Sequence, residues 1–328
     1  MTTKRSNPPP APARPDDEVV ARVEHLTVAY GPLVAVRDVS FRVSAGEILG
    51  LVGPNGSGKT SVVESVAGLR GAVRGGSVTV LGLDPHRDRD RVGPLVGVQL
   101  QESQFPSRTR VGELCDLYEA IYRAPGAAAA LLETFGLADR RRSLVADLSG
   151  GMRQRLALAL AQIGAVRLVV LDELTTGLDP EQRRATWSAV LDLAARGVAV
   201  LLTSHHMDEV EALCGRVAVL RAGELLALDT PARLTAAHGG PATFSVDLGG
   251  TGADRPPLDA LDRLGLERRP AAAGRCLELT GSFPEDYNRV VRVLADAGLP
   301  ASIVSHRAPT FEDAYLRLVD TAPSEGSR

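Results

Sequence analysis

A glycine-rich stretch of eight residues constrains this sequence more than any other feature. It follows the short apolar run Ile48–Val52 and reads Gly53-Pro54-Asn55-Gly56-Ser57-Gly58-Lys59-Thr60. Glycines at this spacing let backbone N–H groups converge on a concave surface, and the helical pattern that begins at Ser61 adds its positive dipole end. The lysine can then reach the β- and γ-phosphates of a nucleotide, and the threonine hydroxyl can bind Mg²⁺. The pattern predicts a phosphate-binding loop between a strand and a helix, without indicating which class of nucleotide-hydrolysing protein carries it.

Further apolar runs indicate the fold around this loop. The runs at 167–171 and 198–202 are continuous, which is typical of strands buried on both faces of a parallel sheet. A helical pattern at 181–195 separates them, and buried strands that alternate with helices predict an α/β domain. A stretch rich in Leu, Ala and Glu at 111–135 has helical spacing. It predicts an inserted helical subdomain at about 102–165.

Composition divides the rest of the chain. Residues 1–18 are rich in proline and charge, so we expect a disordered Pro-rich tail there. A cluster of glycine and proline near residue 238 predicts a boundary, with the α/β domain at 19–237. Residues 238–320 predict a small α+β domain, and 321–328 a frayed tail. The predicted elements of the small domain are strands at 243–248, 276–279 and 301–305 and helices at 285–297 and 311–319.

Charge and hydropathy exclude some functions. The chain has 37 Lys and Arg against 40 Asp and Glu, a formal charge of −3, so it lacks an overall positive field. We therefore expect no nucleic-acid partner. The three cysteines are widely separated and form neither a disulfide framework nor a metal-binding cluster. No apolar stretch approaches the ~18–20 residues that cross a bilayer. We therefore expect that this chain does not span a membrane by itself.

Two consecutive carboxylates follow the apolar run that ends at residue 171. Ligands of parallel sheets bind beyond the carboxyl ends of the strands. Asp172 is therefore placed to hold Mg²⁺, and Glu173 to orient and deprotonate an attacking water. Solvated acids at a strand end are the alternative, which the phosphate-binding loop disfavours.

A second candidate anion site precedes these acids. Ser149 can cap the helical pattern that follows it, and Gly150 and Gly151 let another group approach that helix end closely. Taken alone, these residues favour an ordinary helix cap.

Together, the motifs resemble those of the ABC-transporter ATPase family, in the family's order. LSGGMRQR at 148–155 resembles the signature sequence, 53–60 resembles Walker A, and 168–173 resembles Walker B with its catalytic glutamate. TGLD at 176–179 resembles the D-loop, and SHH at 204–206 the H-switch. The resemblance covers about 19–234 and extends to ATP-binding subunits of multidrug and daunorubicin-resistance exporters. It implies a P-loop NTPase fold with the helical insertion and the small C-terminal domain described above.

The resemblance also implies roles for individual residues. Tyr30 would stack on adenine, Gln101 would occupy the Q-loop, and family spacing favours His205 over His206 as the switch histidine. The implied catalytic residues are Glu173, His205, Lys59 and Gln101. The implied ATP-binding residues are Tyr30, Gly53, Pro54, Asn55, Gly56, Ser57, Gly58, Lys59, Thr60 and Ser61, with Ser149, Gly150 and Gly151 from a partner subunit. The implied Mg²⁺ ligands are Thr60, Gln101 and Asp172.

The resemblance further implies partners and a location. ATP would be sandwiched in a homodimer that powers efflux of a drug, antibiotic or other hydrophobic compound through a separate integral-membrane permease. The chain would lie peripherally on the cytoplasmic face of the cell membrane. The permease would contact the helical subdomain, where apolar residues either line that contact or pack inside the subdomain. These residues are Phe105, Leu114, Leu117, Tyr118 and Ile121.

Three other interpretations remain open at this stage. The chain could serve an importer, act on a macromolecule as a soluble ABC-type ATPase, or bind ATP without hydrolysing it. Lys59 and Ser149 are separated by no sustained heptad pattern, which disfavours the coiled-coil DNA-repair relatives. Leu174 stands where the family usually has proline, so the turn after Glu173 is uncertain.

Overall fold

A computed structural model describes residues 18–70, 73–99, 105–106, 108–175, 177–247, 258–270 and 276–321. Except for Glu18 and Thr321, the predicted tails at 1–18 and 321–328 lie outside these ranges. The chain divides into two compact units, of which the first ends at Pro231 and the second begins at Ala232. The sequence predicts this division a few residues later. The Gly-Pro cluster is instead a turn inside the second unit, where a side chain at Gly239 would collide with Pro309.

The first unit is a mixture of strands and helices. Its strands are β1 (Val19–Tyr30), β2 (Leu33–Ser44), β3 (Ile48–Val52), β4 (Val73–Val80), β5 (Val96–Gln99), β6 (Leu168–Asp172), β7 (Ala199–Thr203), β8 (Arg216–Arg221) and β9 (Glu224–Asp229). Its helices are α1 (Lys59–Val66), α2 (Arg89–Val92), α3 (Val111–Tyr122), α4 (Ala127–Thr134), α5 (Gly150–Leu160), α6 (Pro180–Ala195) and α7 (Met207–Leu213). Short 3₁₀ helices lie at Gly93–Leu95, Ala138–Arg140 and Val145–Asp147.

The central sheet has the strand order β5-β6-β7-β3-β8-β9. Adjacent strands pair in parallel from β5 to β8 in this order, and β9 pairs with β8 in the antiparallel direction. Every residue of β3, β6 and β7 is buried, as their continuous apolar runs predict. The predicted α/β class with a largely parallel sheet is confirmed.

A second, antiparallel sheet of order β2-β1-β4 shares one apolar core with the central sheet and α1. Val28, Val39 and Val80 contribute to this core from the antiparallel sheet. The sequence analysis did not identify β4, because two glycines interrupt its apolar pattern. A side chain at Gly76 would collide with the backbone of β1, so the pairing of β1 with β4 requires this glycine.

The helices α3, α4 and α5 lie between β5 and β6 in the chain, within the predicted insertion. Helix α5 begins at Gly150, directly after Ser149, which caps it as predicted by accepting a hydrogen bond from the Met152 N–H. No helix in the described ranges combines the length and the hydropathy that a bilayer span requires.

The second unit packs helices against an antiparallel sheet of order β11-β12-β10-β13. Its elements are α8 (Pro231–His238), β10 (Ala242–Asp247), α9 (Leu258–Asp262), β11 (Glu267–Pro270), β12 (Cys276–Gly281), α10 (Glu285–Asp296), β13 (Val304–Arg307) and α11 (Phe311–Thr321). Phe244, Leu261 and Leu294 lie in its own apolar core. The strand predicted at 301–305 is wrong in its first part, since Ala301–Ile303 is a 3₁₀ helix in which the Ile303 N–H bonds the Pro300 carbonyl.

Candidate nucleotide-binding site

A cleft of about 1210 Å³ opens in the first unit. Strands β3, β6 and β7 are parallel neighbours, so their carboxyl ends meet at one edge of the sheet and open into it. The lining includes most of the residues that the sequence analysis assigned to ATP and to catalysis. The lining residues are Tyr30, Leu33, Val34, Ala35, Asn55, Gly56, Ser57, Gly58, Lys59, Thr60, Ser61, Asp172, Glu173, His205 and Ala222.

The loop between β3 and α1 is tightly packed at two glycines. Gly58 caps α1 with a φ of +99°, and a side chain there would meet the Ala35 carbonyl oxygen. A side chain at Gly53 would collide with the Leu220 carbonyl oxygen and with Ser57. Backbone hydrogen bonds also join Ser57 to Pro54 and to the turn after β8. The loop therefore holds its shape through its own packing.

The loop offers donors suited to phosphate. The first bond of α1 runs from the Val62 N–H to the Gly58 carbonyl, so the N–H groups at 59–61 have no acceptor within the helix. Ser57 Oγ is buried, and no hydrogen-bond partner for it lies in the described ranges. A buried hydroxyl without a partner is unfavourable by about 1–3 kcal/mol. These donors at a helix N-terminus fit a bound phosphate group.

Lys59 places a cation between the loop and the two acids. Its ammonium donates to the carbonyl oxygens of Gly53 at 2.7 Å and Pro54 at 3.1 Å. Burial lowers the pKa of Lys59, and the carboxylates of Glu173 and Asp172 oppose this shift. Gly53 and Pro54 contact the Lys59 ammonium through these carbonyl oxygens, but neither residue lines the cleft.

Tyr30 lies at the end of β1 and is 41% exposed. Its hydroxyl is 3.0 Å from Ser61 Oγ, and the Arg70 guanidinium lies over the ring, 4.4 Å from the centroid. The Nη2 and Nε atoms of that guanidinium lie 2.5 Å and 2.7 Å from Oε2 of Glu64 in α1. The sequence analysis did not identify Arg70 and Glu64 as site residues, because nothing in their local pattern indicates a contact with a distant strand.

Asp172 and Glu173 follow each other at the end of β6. Asp172 is 8% exposed and accepts a hydrogen bond from the Thr203 hydroxyl. The backbone turns at Glu173, which has a φ of +51°. Residues with a side chain seldom adopt this left-handed conformation unless their surroundings hold it. Both acidic residues line the same cleft.

The two adjacent histidines have different surroundings. His205 lines the cleft, and its Nδ1 lies 3.5 Å from Glu173 Oε1. His206 is the cap residue of α7, and its ring centroid lies 4.1 Å from that of His205. Only His205, of the pair, is positioned beside the acids.

The turn after Glu173 forms without proline. The Leu174 side chain is completely buried, and the Leu174 carbonyl accepts a hydrogen bond from the Gln154 side-chain amide of α5. The hydroxyl of the next residue, Thr175, donates a hydrogen bond to the buried Glu209 carboxylate at 2.8 Å. Gln101 lies outside the described residues, as does Thr176 of the D-loop motif.

The signature residues do not line this cleft. Ser149 caps α5, and Gly151 packs against Gln182 and Leu178. Apart from its chain neighbours and the α5 backbone, no described residue comes within 4 Å of a side-chain position at Gly150. The structure thus separates Ser149, Gly150 and Gly151 from the residues that it gathers around the loop.

The oxygen donors of the cleft suit a divalent cation. Asp172 and Thr60 both line it, and Mg²⁺ is commonly held by one or two carboxylates together with substrate phosphates. The described residues contain no group of three or more His, Cys, Asp or Glu side chains that would hold a metal alone.

Comparison with known proteins agrees with this geometry. Residues 36–176 match the ABC transporter family. Nod factor export ATP-binding protein I of Rhizobium johnstonii (strain DSM 114642 / LMG 32736 / 3841) is 34% identical over 298 residues, which cover 89% of this chain and 92% of the relative. Daunorubicin resistance ATP-binding protein DrrA3 of Streptomyces coeruleorubidus is 34% identical over 313 residues, covering 88% of this chain and 92% of the relative.

A solved structure of the ATP-binding subunit of an ABC transporter matches with a TM-score of 0.62 and 25% identity, over 67% of this chain and 93% of that one. The chain belongs to the ABC transporter family of ATP-binding proteins. It is an ATPase whose activity is coupled to transport, as is general in this family.

Proposed function

We propose that this chain hydrolyses ATP to drive efflux of a drug, antibiotic or other hydrophobic compound through a separate membrane permease. The main support is the cleft, which brings a phosphate-binding loop, two acids and a histidine together in a chain whose relatives are named for export. Those names concern two different compounds. The proposal therefore extends to a class of cargo and not to one molecule.

In this proposal the nucleotide lies along the cleft. Its base stacks on Tyr30, and its phosphates bind the loop donors and Lys59. Mg²⁺, when bound through Thr60, Asp172 and Gln101, neutralises charge on the phosphate oxygens. The Glu173 carboxylate accepts a proton from the water whose oxygen bonds to the γ-phosphorus. The bond from that phosphorus to the bridging oxygen breaks, and ADP leaves with the electron pair.

Two other groups stabilise the charge that develops during this step. The His205 imidazole, 3.5 Å from Glu173 Oε1, contacts the γ-phosphate. Lys59 and the backbone N–H groups of the loop face the phosphate oxygens. The completed products are ADP and inorganic phosphate.

The signature residues support an ATP-bridged homodimer. Ser149, Gly150 and Gly151 lie outside the cleft of their own chain, and the surface around Gly150 is open. A second copy that presents these residues would close each cleft over ATP. Loss of the γ-phosphate would remove a bridge between the two copies, so hydrolysis would bias the dimer towards opening.

A surface on α3 supports contact with the permease. Leu117 and Ile121 are 52% and 59% exposed, one helical turn apart, whereas Leu114 packs inside. Exposed apolar side chains that lie together are typical of interaction sites. The proposal places this surface against the permease at the cytoplasmic face of the membrane.

The Glu173→Gln variant tests the hydrolytic mechanism. The amide cannot accept the proton of the attacking water, so turnover should fall about 100-fold or more, since general bases contribute about 10²–10⁴-fold. Binding of ATP should persist, and a dimer should accumulate with ATP and Mg²⁺ in size-exclusion chromatography. Glu133→Gln, at an exposed position of α4, is the matched control. Turnover equal to that of the unaltered chain would exclude Glu173 as the base.

Transport direction is measured in membrane vesicles of the native host that carry either the unaltered chain or Glu173→Gln. In everted vesicles, export appears as ATP-dependent accumulation of daunorubicin in the lumen, and the variant should abolish it. ATP-driven loss of daunorubicin from preloaded everted vesicles would identify an importer instead.

A further inference from the structure

Thr203 ends strand β7 and lies opposite Asp172, the last residue of β6, in the parallel register. Side chains at paired positions of adjacent strands point to the same face of a sheet. Thr203 is completely buried, so its hydroxyl must find its partners inside the protein.

The hydroxyl of Thr203 contacts both acidic residues. It donates to Asp172 Oδ1, and it accepts the Glu173 N–H at 3.2 Å. The Thr203 carbonyl oxygen accepts the same N–H at 3.1 Å. One residue thus binds the side chain of the first acid and the backbone of the second.

These contacts lie at the left-handed turn of the chain. Glu173 has a φ of +51°, a conformation that persists where neighbouring contacts determine it. The shared hydrogen bond from its N–H to Thr203 is such a contact. It directs the Glu173 side chain away from the strand end and into the cleft, where Oε1 lies beside His205.

A comparison with another buried threonine shows that this arrangement is not a general requirement of burial. Thr186 of α6 is also buried, and its hydroxyl donates to the Gln182 carbonyl of its own helix. The Thr203 hydroxyl is instead committed to the acid pair. With Oδ1 of Asp172 engaged, the carboxylate keeps one orientation and leaves its other oxygen for a cation.

We propose that Thr203 is a positioning residue that orients the Asp172 carboxylate for Mg²⁺ and holds Glu173 in its left-handed turn. This inference rests on the roles of Asp172 and Glu173 in the proposed function. Because the hydroxyl acts on the metal-binding acid, it should affect Mg²⁺-dependent binding of ATP more than binding without metal.

The test compares Thr203→Val, which keeps the branched shape, with Thr203→Ser, which keeps the hydroxyl. ATP affinity is measured by calorimetry in EDTA and across a Mg²⁺ titration, beside turnover at saturating ATP. Thr203→Val should bind ATP in EDTA as the unaltered chain does. It should need about 10- to 150-fold more Mg²⁺ and turn over more slowly by a similar factor, the scale of one lost hydrogen bond to a charged group. Thr203→Ser and the control Thr186→Val should retain both properties.

The possible outcomes separate this inference from the proposed function. Unaltered Mg²⁺ dependence and turnover in Thr203→Val would overturn the positioning role while leaving Glu173 as the base. An equal loss in Thr203→Ser would show that the hydroxyl is not the determinant and would also overturn it. If Thr203→Val does not fold, Thr203→Ala supplies the variant without a hydroxyl. Normal turnover in Glu173→Gln would remove the proposed mechanism itself, whatever Thr203 does.

Discussion

At the scale of single residues, the orientation of the Tyr30 ring depends on contacts with α1 and the residues just after it. Ser61 meets its hydroxyl, and Arg70 covers the ring with a guanidinium that Glu64 holds. Tyr30 lines the cleft, whereas Arg70 does not. In the proposed function, a nucleobase would stack on the ring face opposite the guanidinium.

Replacing Arg70 by methionine should weaken ATP binding about 2- to 30-fold, the equivalent of a cation–π contact of about 0.5–2 kcal/mol. Binding of inorganic tripolyphosphate, which has no base, should not change. Calorimetry with both ligands measures the difference, and Arg22→Met, an exposed change on β1, is the control.

The effect of Arg70→Met should also disappear in a chain that already carries Tyr30→Ala, because Arg70 acts through that ring. Equal losses for ATP and tripolyphosphate would contradict this account of Arg70.

At the scale of elements, a buried carboxylate joins helix α7 to the turn after Glu173. Glu209 of α7 is completely buried and accepts hydrogen bonds from the Thr175 hydroxyl at 2.8 Å and the Trp187 indole at 3.1 Å. Asp208 adds an ion pair to Arg183 of α6 at 2.6 Å. The segments that follow β6 and β7 are therefore connected by side chains as well as by the sheet.

Glu209→Leu should destabilise the first unit. Its loss leaves the buried Thr175 hydroxyl without its acceptor, at about 1–3 kcal/mol, and also removes the acceptor of the half-buried Trp187 indole. The midpoint of urea unfolding should fall, while Glu133→Leu on the exposed face of α4 should leave it nearly unchanged. Equal midpoints for Glu209→Leu and the unaltered chain would show that this carboxylate does not hold the segments together.

At the scale of the whole molecule, the proposed function assigns hydrolysis and the permease contact to different surfaces. The cleft lies at the carboxyl ends of the central strands, and the exposed pair Leu117 and Ile121 lies on α3 of the helical insertion. Changes on α3 should therefore alter coupling to the permease without altering the chemistry of the isolated chain.

The double variant Leu117→Ser/Ile121→Ser should keep the basal ATPase rate and the unfolding midpoint, because exposed substitutions usually change stability by less than about 0.5 kcal/mol. Recovery of the chain with membranes of its native host should fall several-fold in a sedimentation assay. Leu316→Ser, at an exposed leucine of the second unit, is the control. Recovery equal to that of the unaltered chain would exclude α3 as the contact.

The sequence alone determined the class of fold and the chemistry of the phosphate-binding loop. The loop residues at 53–60 are contiguous, so the sequence by itself shows that its glycines, lysine and threonine lie together in one loop. The buried strands β3, β6 and β7 were recognisable because burial on both faces demands an unbroken apolar run. The position of Asp172 and Glu173 followed from the end of such a run.

The tertiary structure alone decided which distant side chains serve those residues. Thr203 meets Asp172 because β7 is the neighbour of β6, and the order β5-β6-β7-β3-β8-β9 does not follow the order of the chain. Arg70 reaches Tyr30, and Glu209 reaches Thr175, for the same kind of reason. Local periodicity reports whether a side chain faces the core. It does not report which strand lies beside it, because that depends on pairing between segments far apart in the sequence.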